Sequence, residues 1–358
     1  MRFFIITVRV LIVMMSGLLA FGFQKLKAAD WFSVADLRGS WAFTVGDDPR
    51  WADPNASTAD WDWLTVPGRW ENEYPDYNGY AWYRRTFNLN TVPQKANLVL
   101  FLGYIDDVDE VFINGQKVGQ SGSFFPEFKT AFDKERRYVV PASALRKTEN
   151  VIAVRVYDDY KEGGIVSAGN FGLYYDRELD LLSIDLSGVW KFSTKRLENI
   201  HSLDLEDGSW KEVFVPMSWE DQGYPDYDGI AYYRKRFVAP ASLQGKELYL
   251  VLGKIDDFDR VYLNGELIGR VEELEQYSRF RRDRAYRLLR IYRIPHGVLR
   301  SKNLVSVEVN DTYGAGGIYE GPIGVVTSEA ALKIGNKYRE NNFSDWNFSI
   351  WDLIDLFD

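Results

Sequence analysis

One stretch of this chain occurs twice, and it narrows the fold more than any other feature. Ile105-Asp106-Asp107-Val108-Asp109-Glu110-Val111-Phe112-Ile113-Asn114-Gly115 returns as Ile255-Asp256-Asp257-Phe258-Asp259-Arg260-Val261-Tyr262-Leu263-Asn264-Gly265. Aligned from Leu102–Gly119 to Leu252–Gly269, 10 of 18 positions are identical, and Val108 to Phe258 or Val118 to Ile268 only exchanges one apolar side chain for another. The run Leu98-Val99-Leu100-Phe101-Leu102 reads as a buried strand, because it is continuously apolar and too short for a helix. The acidic cluster ends it, and Val111-Phe112-Ile113 begins another strand. Asn114-Gly115 then supplies the two positive-φ positions of a type I′ turn. The unit is strand, acidic corner, strand, tight turn, strand.

Matching segments flank both copies in the same order. Asp36-Leu37-Arg38-Gly39-Ser40-Trp41 pairs with Asp185-Leu186-Ser187-Gly188-Val189-Trp190, and Trp70-Glu71 with Trp219-Glu220. Tyr74-Pro75-Asp76-Tyr77 pairs with Tyr224-Pro225-Asp226-Tyr227, and Trp82-Tyr83-Arg84 with Tyr232-Tyr233-Arg234. Each copy closes on a strand that ends at Asp158 or Asp311, followed by Gly163-Gly164 or Gly316-Gly317. A period near 150 residues is too long for a solenoid and marks a duplicated domain. Short strands punctuated by Gly, Pro, Asn and Asp predict an all-β fold of two tandem antiparallel β-sandwiches with a short C-terminal helix. The expected boundaries are 30–176 and 185–328, joined by the short linker Asp176 to Ser183, with an amphipathic acidic tail over 329–358. Residues 1–29 stand apart. Arg2 precedes the apolar run Val10 to Phe23, and Ala28-Ala29 follows, as in a signal peptide; an uncleaved membrane anchor over residues 3–23 is the alternative. In both cases the folded part is exported.

Composition excludes several function classes. A net charge of −9 argues against nucleic acid as a partner. With no Cys and only two His, disulfides, thiolate sites, histidine-based zinc sites and Ser-His-Asp triads fall away. The 12 Trp and 22 Tyr must fill cores or a binding surface.

The motif series Trp-x-x-x-x-Val-Pro, Trp-Glu, Tyr-Arg-x-x-Phe, Ile-Asp-Asp-x-Asp, Asn-Gly-x-x-x-Gly and Gly-Gly-Ile resembles the sugar-binding jelly-roll, galactose-binding-like domain of glycoside hydrolase family 2, which includes β-galactosidases and β-glucuronidases. The double-Asp unit also resembles the insert of sialate O-acetylesterases. The resemblance spans residues 36–175 and 185–327. It implies a carbohydrate-binding architecture, and no stretch of the chain matches the catalytic barrel or the acetylesterase serine motif.

Candidate sugar-binding residues are Trp70, Glu71, Tyr74, Asp76, Tyr77 and Asp158, with Trp219, Glu220, Tyr224, Asp226, Tyr227 and Asp311. Aromatic faces stack on a pyranose and carboxylates take its hydroxyls; the plainer reading puts the Trp residues in the core and makes Tyr-Pro-Asp-Tyr a rigid turn. Asp106, Asp107, Asp109, Asp256, Asp257 and Asp259 read as structural acceptors of loop amides and of Arg84 or Arg234, with Ca²⁺ binding as the alternative. No catalytic residue and no further cofactor is expected. Seven Arg between Arg279 and Arg293 read as a solvated loop or a site for acidic polysaccharide, without a counterpart in the first copy. Trp346, Ile350, Leu353, Ile354 and Phe357 fall at helical spacing in the tail. The expected function is an exported carbohydrate-binding protein, or an accessory to a separate hydrolase or membrane protein. An O-glycosyl hydrolase and an interaction module that has lost its sugar are the competing readings.

Overall fold

The structure is a computed structural model. It describes residues 31–89, 97–167, 169–272 and 282–342. The expected all-β architecture is present as two pairs of antiparallel sheets, one pair to each copy. In the first copy one sheet is centred on Leu98–Asp106. Glu135–Val140 pairs along one side of that strand, and Gly172–Asp176 and Gly164–Ser167 along the other; Trp31–Asp36 and Gly68–Arg69 lie outside these. The facing sheet runs Asp62–Val66, Gly39–Val45, Gly79–Phe87, Asn150–Asp158, Val108–Ile113, Gln116–Ser121. The second copy repeats the facing sheet strand for strand, with Lys302–Asp311 in it, and builds the other as a four-stranded sheet that includes Leu248–Asp256 and, among the described residues, has no strand matching Gly68–Arg69. Its Gly317–Thr327 is a single strand where the first copy uses two pieces.

Alternation places the core between the sheets. Leu98, Leu100 and Leu102 meet Trp41, Phe43, Tyr83, Ile152, Val154 and Val156, all buried. Leu248, Leu250 and Leu252 meet Trp190, Phe192, Tyr233, Val305, Val307 and Val309 in the second copy. Each such side chain contributes about 1.5–3 kcal/mol on full burial. The Asn-Gly turns have the expected positive φ, 52° and 84° at Asn114-Gly115 and 52° and 90° at Asn264-Gly265. Asn114 is also a clamp: it accepts the Val151 amide at 2.9 Å and donates to the Asn150 side chain at 3.0 Å. Asn264 repeats this with Leu304 and Asn303.

The linker folds as a 3-10 turn, Arg177–Leu181. The two sandwiches touch through Asn97 and Ser187, 3.0 Å apart, through a 2.7 Å ion pair of Lys129 with Asp226, and through the pair Lys134–Asp221. A helix, Ser328–Asn342, follows the last strand. Thr327 Oγ1 accepts the Ala330 amide at its start. Ala330, Ala331, Ile334 and Tyr338 lie on Tyr249, Val251, Ile291 and Val326, on the outer face of the second copy's sheet. The helical spacing read between Trp346 and Phe357 lies outside the described residues.

Candidate carboxylate rim

The acidic corner sorts its residues by strand geometry. Asp109 lies within Val108–Ile113, and pleating turns it inward with Val111 and Ile113. There Arg136 Nε donates to its Oδ1 at 2.7 Å and the Tyr138 hydroxyl to its Oδ2 at 2.6 Å. Arg136 Nη2 also donates to the Asp107 carbonyl at 2.9 Å. The second copy is the same, with Arg290 Nε 2.7 Å from Asp259 and 2.7 Å separating Nη2 from the Asp257 carbonyl, and with Tyr292 on Asp259. Asp109 and Asp259 are ion-paired core residues, which sets aside the Ca²⁺ alternative for these two. Two expectations are corrected here. The partners of these aspartates are Arg136 and Arg290, whereas Arg84 and Arg234 donate to loop carbonyls such as Ala56 and Leu205. Arg290, read as part of a solvated run without a counterpart, is a core residue with Arg136 as its counterpart; Arg293 is exposed and 3.4 Å from Glu247. Arg279 and Arg281 lie outside the described residues.

What gathers at the corner is a different trio. Asp158 ends the strand Asn150–Asp158 and joins Asp106 and Asp107, and Asp311 likewise joins Asp256 and Asp257; within each trio one oxygen per residue lies within 4.8 Å of the others. Burial, then the neighbouring carboxylates, pushes Asp106 and Asp256 up to about 7. Burial chiefly raises Asp158 to about 6 and also raises Asp311.

Glu71 and Glu220 hold the adjoining glycine loop. The Gly163 amide donates to Glu71 Oε1 at 2.6 Å, and the Gly316 amide lies 3.0 and 3.1 Å from the two oxygens of Glu220. Burial pushes Glu220 up to about 7. Beneath the loop lie Trp70 and Trp219, fully buried, each donating its indole N–H to a tyrosine carbonyl, Tyr77 at 3.2 Å and Tyr227 at 3.1 Å. A Cβ on Gly163 would stand 2.2 Å from Trp70, and one on Gly316 2.0 Å from Trp219, so the glycines are there to admit the indoles. Tyr74, Tyr77, Tyr224 and Tyr227 are half-buried against the cores, and the Tyr77 and Tyr227 hydroxyls donate to Tyr80 and Ile230 carbonyls at 2.7 and 2.8 Å. Asp76 and Asp226 are exposed, with φ of 59° and 53°.

The exposed rings at this rim are ones that sequence reasoning missed. Tyr160 is 70% exposed and Tyr313 86%, each two residues beyond the trio's buried Asp and donating its amide to that Asp. In the first copy Phe125, Phe128 and Tyr157 form a further aromatic cluster, with centroids 5.1–5.7 Å apart. The available signal was the matched order Asp158-Asp159-Tyr160 and Asp311-Thr312-Tyr313. Depressions of about 310 and 290 Å³ lie elsewhere, on the six-stranded sheet of the second copy beside Lys191 and Arg260. Both are shallow and lined by ion-paired side chains, so the rim remains the better site.

Comparison with known proteins agrees with the motif series. Residues 46–161 match the family described as "Beta-galactosidase second all-beta domain". A putative β-glucuronidase of Formosa agariphila is 28% identical over 137 residues, covering 34% of this chain and 12% of the relative. Among solved structures, a β-glucuronidase of Bacteroides uniformis superposes with a TM-score of 0.33 at 16% identity, covering 82% of this chain and 28% of the other. A glycosyl hydrolase family 2 member from Bacteroides cellulosilyticus gives 0.34 at 13% identity, covering 78% and 32%. The chain thus spans about an eighth of the length of the curated relative.

Proposed function

We propose, from a first sandwich related to those of glycoside hydrolase family 2, that this chain is an exported carbohydrate-binding protein acting beside a hydrolase rather than as one. The observation that carries the reading is the rim itself. In both copies an exposed tyrosine, Tyr160 or Tyr313, stands next to a group of carboxylates that includes the half-buried Asp106 or Asp256. A ring face for the apolar side of a pyranose beside acceptors for its hydroxyls is the composition a sugar site needs. Glu71, Asp158, Glu220 and Asp311 belong to this reading as the residues that shape the loop, and Trp70 and Trp219 as its floor. Glu71 and Glu220 are committed to the Gly163 and Gly316 amides, which counts against either of them as a glycosidase carboxylate. A glycosidase needs two carboxylates free to face one bond, about 5–10 Å apart. Export rests on Arg2 and the apolar run Val10 to Phe23.

A glycan array followed by calorimetry tests the reading. The chain should retain a saccharide, and Tyr160→Ala with Tyr313→Ala should abolish retention while the melting temperature stays put. Retention of no glycan would favour an interaction module, and hydrolysis of a nitrophenyl β-glycoside panel would favour an enzyme. Fractionation of producing cells should place the folded chain outside the cytoplasm.

A further inference from the structure

Among the described residues, no ion pair supplies the counter-charge that the trio of carboxylates needs. Three carboxylates with oxygens within 4.8 Å repel one another unless a cation or protons lie among them. Arg136 and Arg290 pass the corner, but their ion pairs go to Asp109 and Asp259. Among the described residues no ion pair includes Asp106, Asp107, Asp158, Asp256, Asp257 or Asp311.

A second observation points to a ligand. Asp158 is 0% exposed and Asp311 1%. One oxygen of each, Oδ1, accepts the amide of Tyr160 or Tyr313, at 3.3 and 3.0 Å. The other, Oδ2, is enclosed and has no hydrogen-bond partner in either copy. An enclosed carboxylate oxygen without a partner is costly, and the same atom is left so in both halves of a diverged repeat. The neighbours are meanwhile oriented: Asp107 accepts the Thr130 hydroxyl and the Asp159 amide, and Asp257 the Thr312 hydroxyl and amide. Such bonds aim a ligating carboxylate.

We propose that each sandwich binds one divalent cation of the calcium type, held by Asp106, Asp107 and Asp158 in the first copy and by Asp256, Asp257 and Asp311 in the second. The donor set is all oxygen and rich in carboxylate, which suits a hard cation. Calcium takes about six to eight oxygens in flexible geometry, so water or backbone carbonyls complete the shell. The position explains a purpose. Asp106 and Asp256 end strands of one sheet, and Asp158 and Asp311 end strands of the facing sheet. A cation between them staples the two sheets at the rim that carries Tyr160 and Tyr313. This inference does not depend on a sugar being bound.

The test uses the full chain, stripped with chelator and titrated with CaCl₂ without saccharide. Calorimetry should count two calcium ions per chain, and the melting temperature should rise as they bind. Asp158→Asn or Asp311→Asn should leave one ion, and the double variant none; circular dichroism checks the fold, and Asp106→Asn with Asp256→Asn stands in should either buried position not tolerate the change. Absence of heat and of any melting shift up to about 10 mM calcium, roughly tenfold beyond the weakest extracellular calcium modules, overturns the proposal. Two ions still bound by the folded double variants overturn it equally.

Discussion

Arg136 and Asp109 show best what a single residue does in this fold. Both are fully enclosed, and Arg136 also closes the corner by donating to the Asp107 carbonyl. Removing one partner leaves a buried charge alone, so Arg136→Met should cost about 3–5 kcal/mol in urea denaturation. Arg290→Met should cost a similar amount in the second copy; a loss below 1 kcal/mol in either would show that water reaches the corner. Glu220 sets a pH dependence. Burial raises it to about 7 from the ordinary glutamate value of 4.5, so between those values the native state holds more protons than the unfolded chain. Stability therefore falls as pH rises through that window. The melting temperature of Glu220→Gln should fall less than that of the parent between about pH 5 and pH 8, and equal slopes would contradict the assignment. Little of this was legible in sequence. Asp106, Asp107 and Asp109 look like one cluster there, yet the period of two along Val108–Ile113 sends Asp109 into the core. Its partner Arg136 lies 27 residues away, and Arg290 was hidden among its neighbouring arginines.

At the scale of elements, the glycine loops depend on the indoles beneath them. Gly163→Ala or Gly316→Ala forces a methyl into Trp70 or Trp219 and should destabilise by about 1–3 kcal/mol, seen in denaturation followed by tryptophan fluorescence. An unchanged midpoint would mean that the loop lifts away freely. The helix Ser328–Asn342 is the other test. Ile334 is wholly buried between it and the sheet, so Ile334→Ala should cost about 2–5 kcal/mol. No change would detach the helix from the sandwich. The hairpins were legible because Asn-Gly carries its own turn chemistry, and the central strands because their apolar runs are continuous. The helix was expected further along, where Trp and Phe make a conspicuous stripe. Its actual contact face is mostly small, Ala330 and Ala331 with Ile334, and such a face lets the helix lie close while leaving a weak pattern in sequence.

For the whole molecule, duplication made the fold legible: two diverged copies retained the same turns, corners and core strands, and position-by-position comparison separated scaffold from surface. It made the site less so, because residues retained in both copies include Trp70 and Trp219, which serve packing, alongside Asp158 and Asp311, which serve the rim. Only the folded chain shows that Trp70 lies under Gly163 while Tyr160 faces solvent. The most direct test of two equivalent rims is calorimetric titration of the chain with a saccharide selected on the glycan array. The predicted result is two sites per chain, one in either Tyr160→Ala or Tyr313→Ala and none in the double variant, with no sugar released during the titration. Saccharide binding that is indifferent to both tyrosines, or a titrant consumed by hydrolysis, would contradict it.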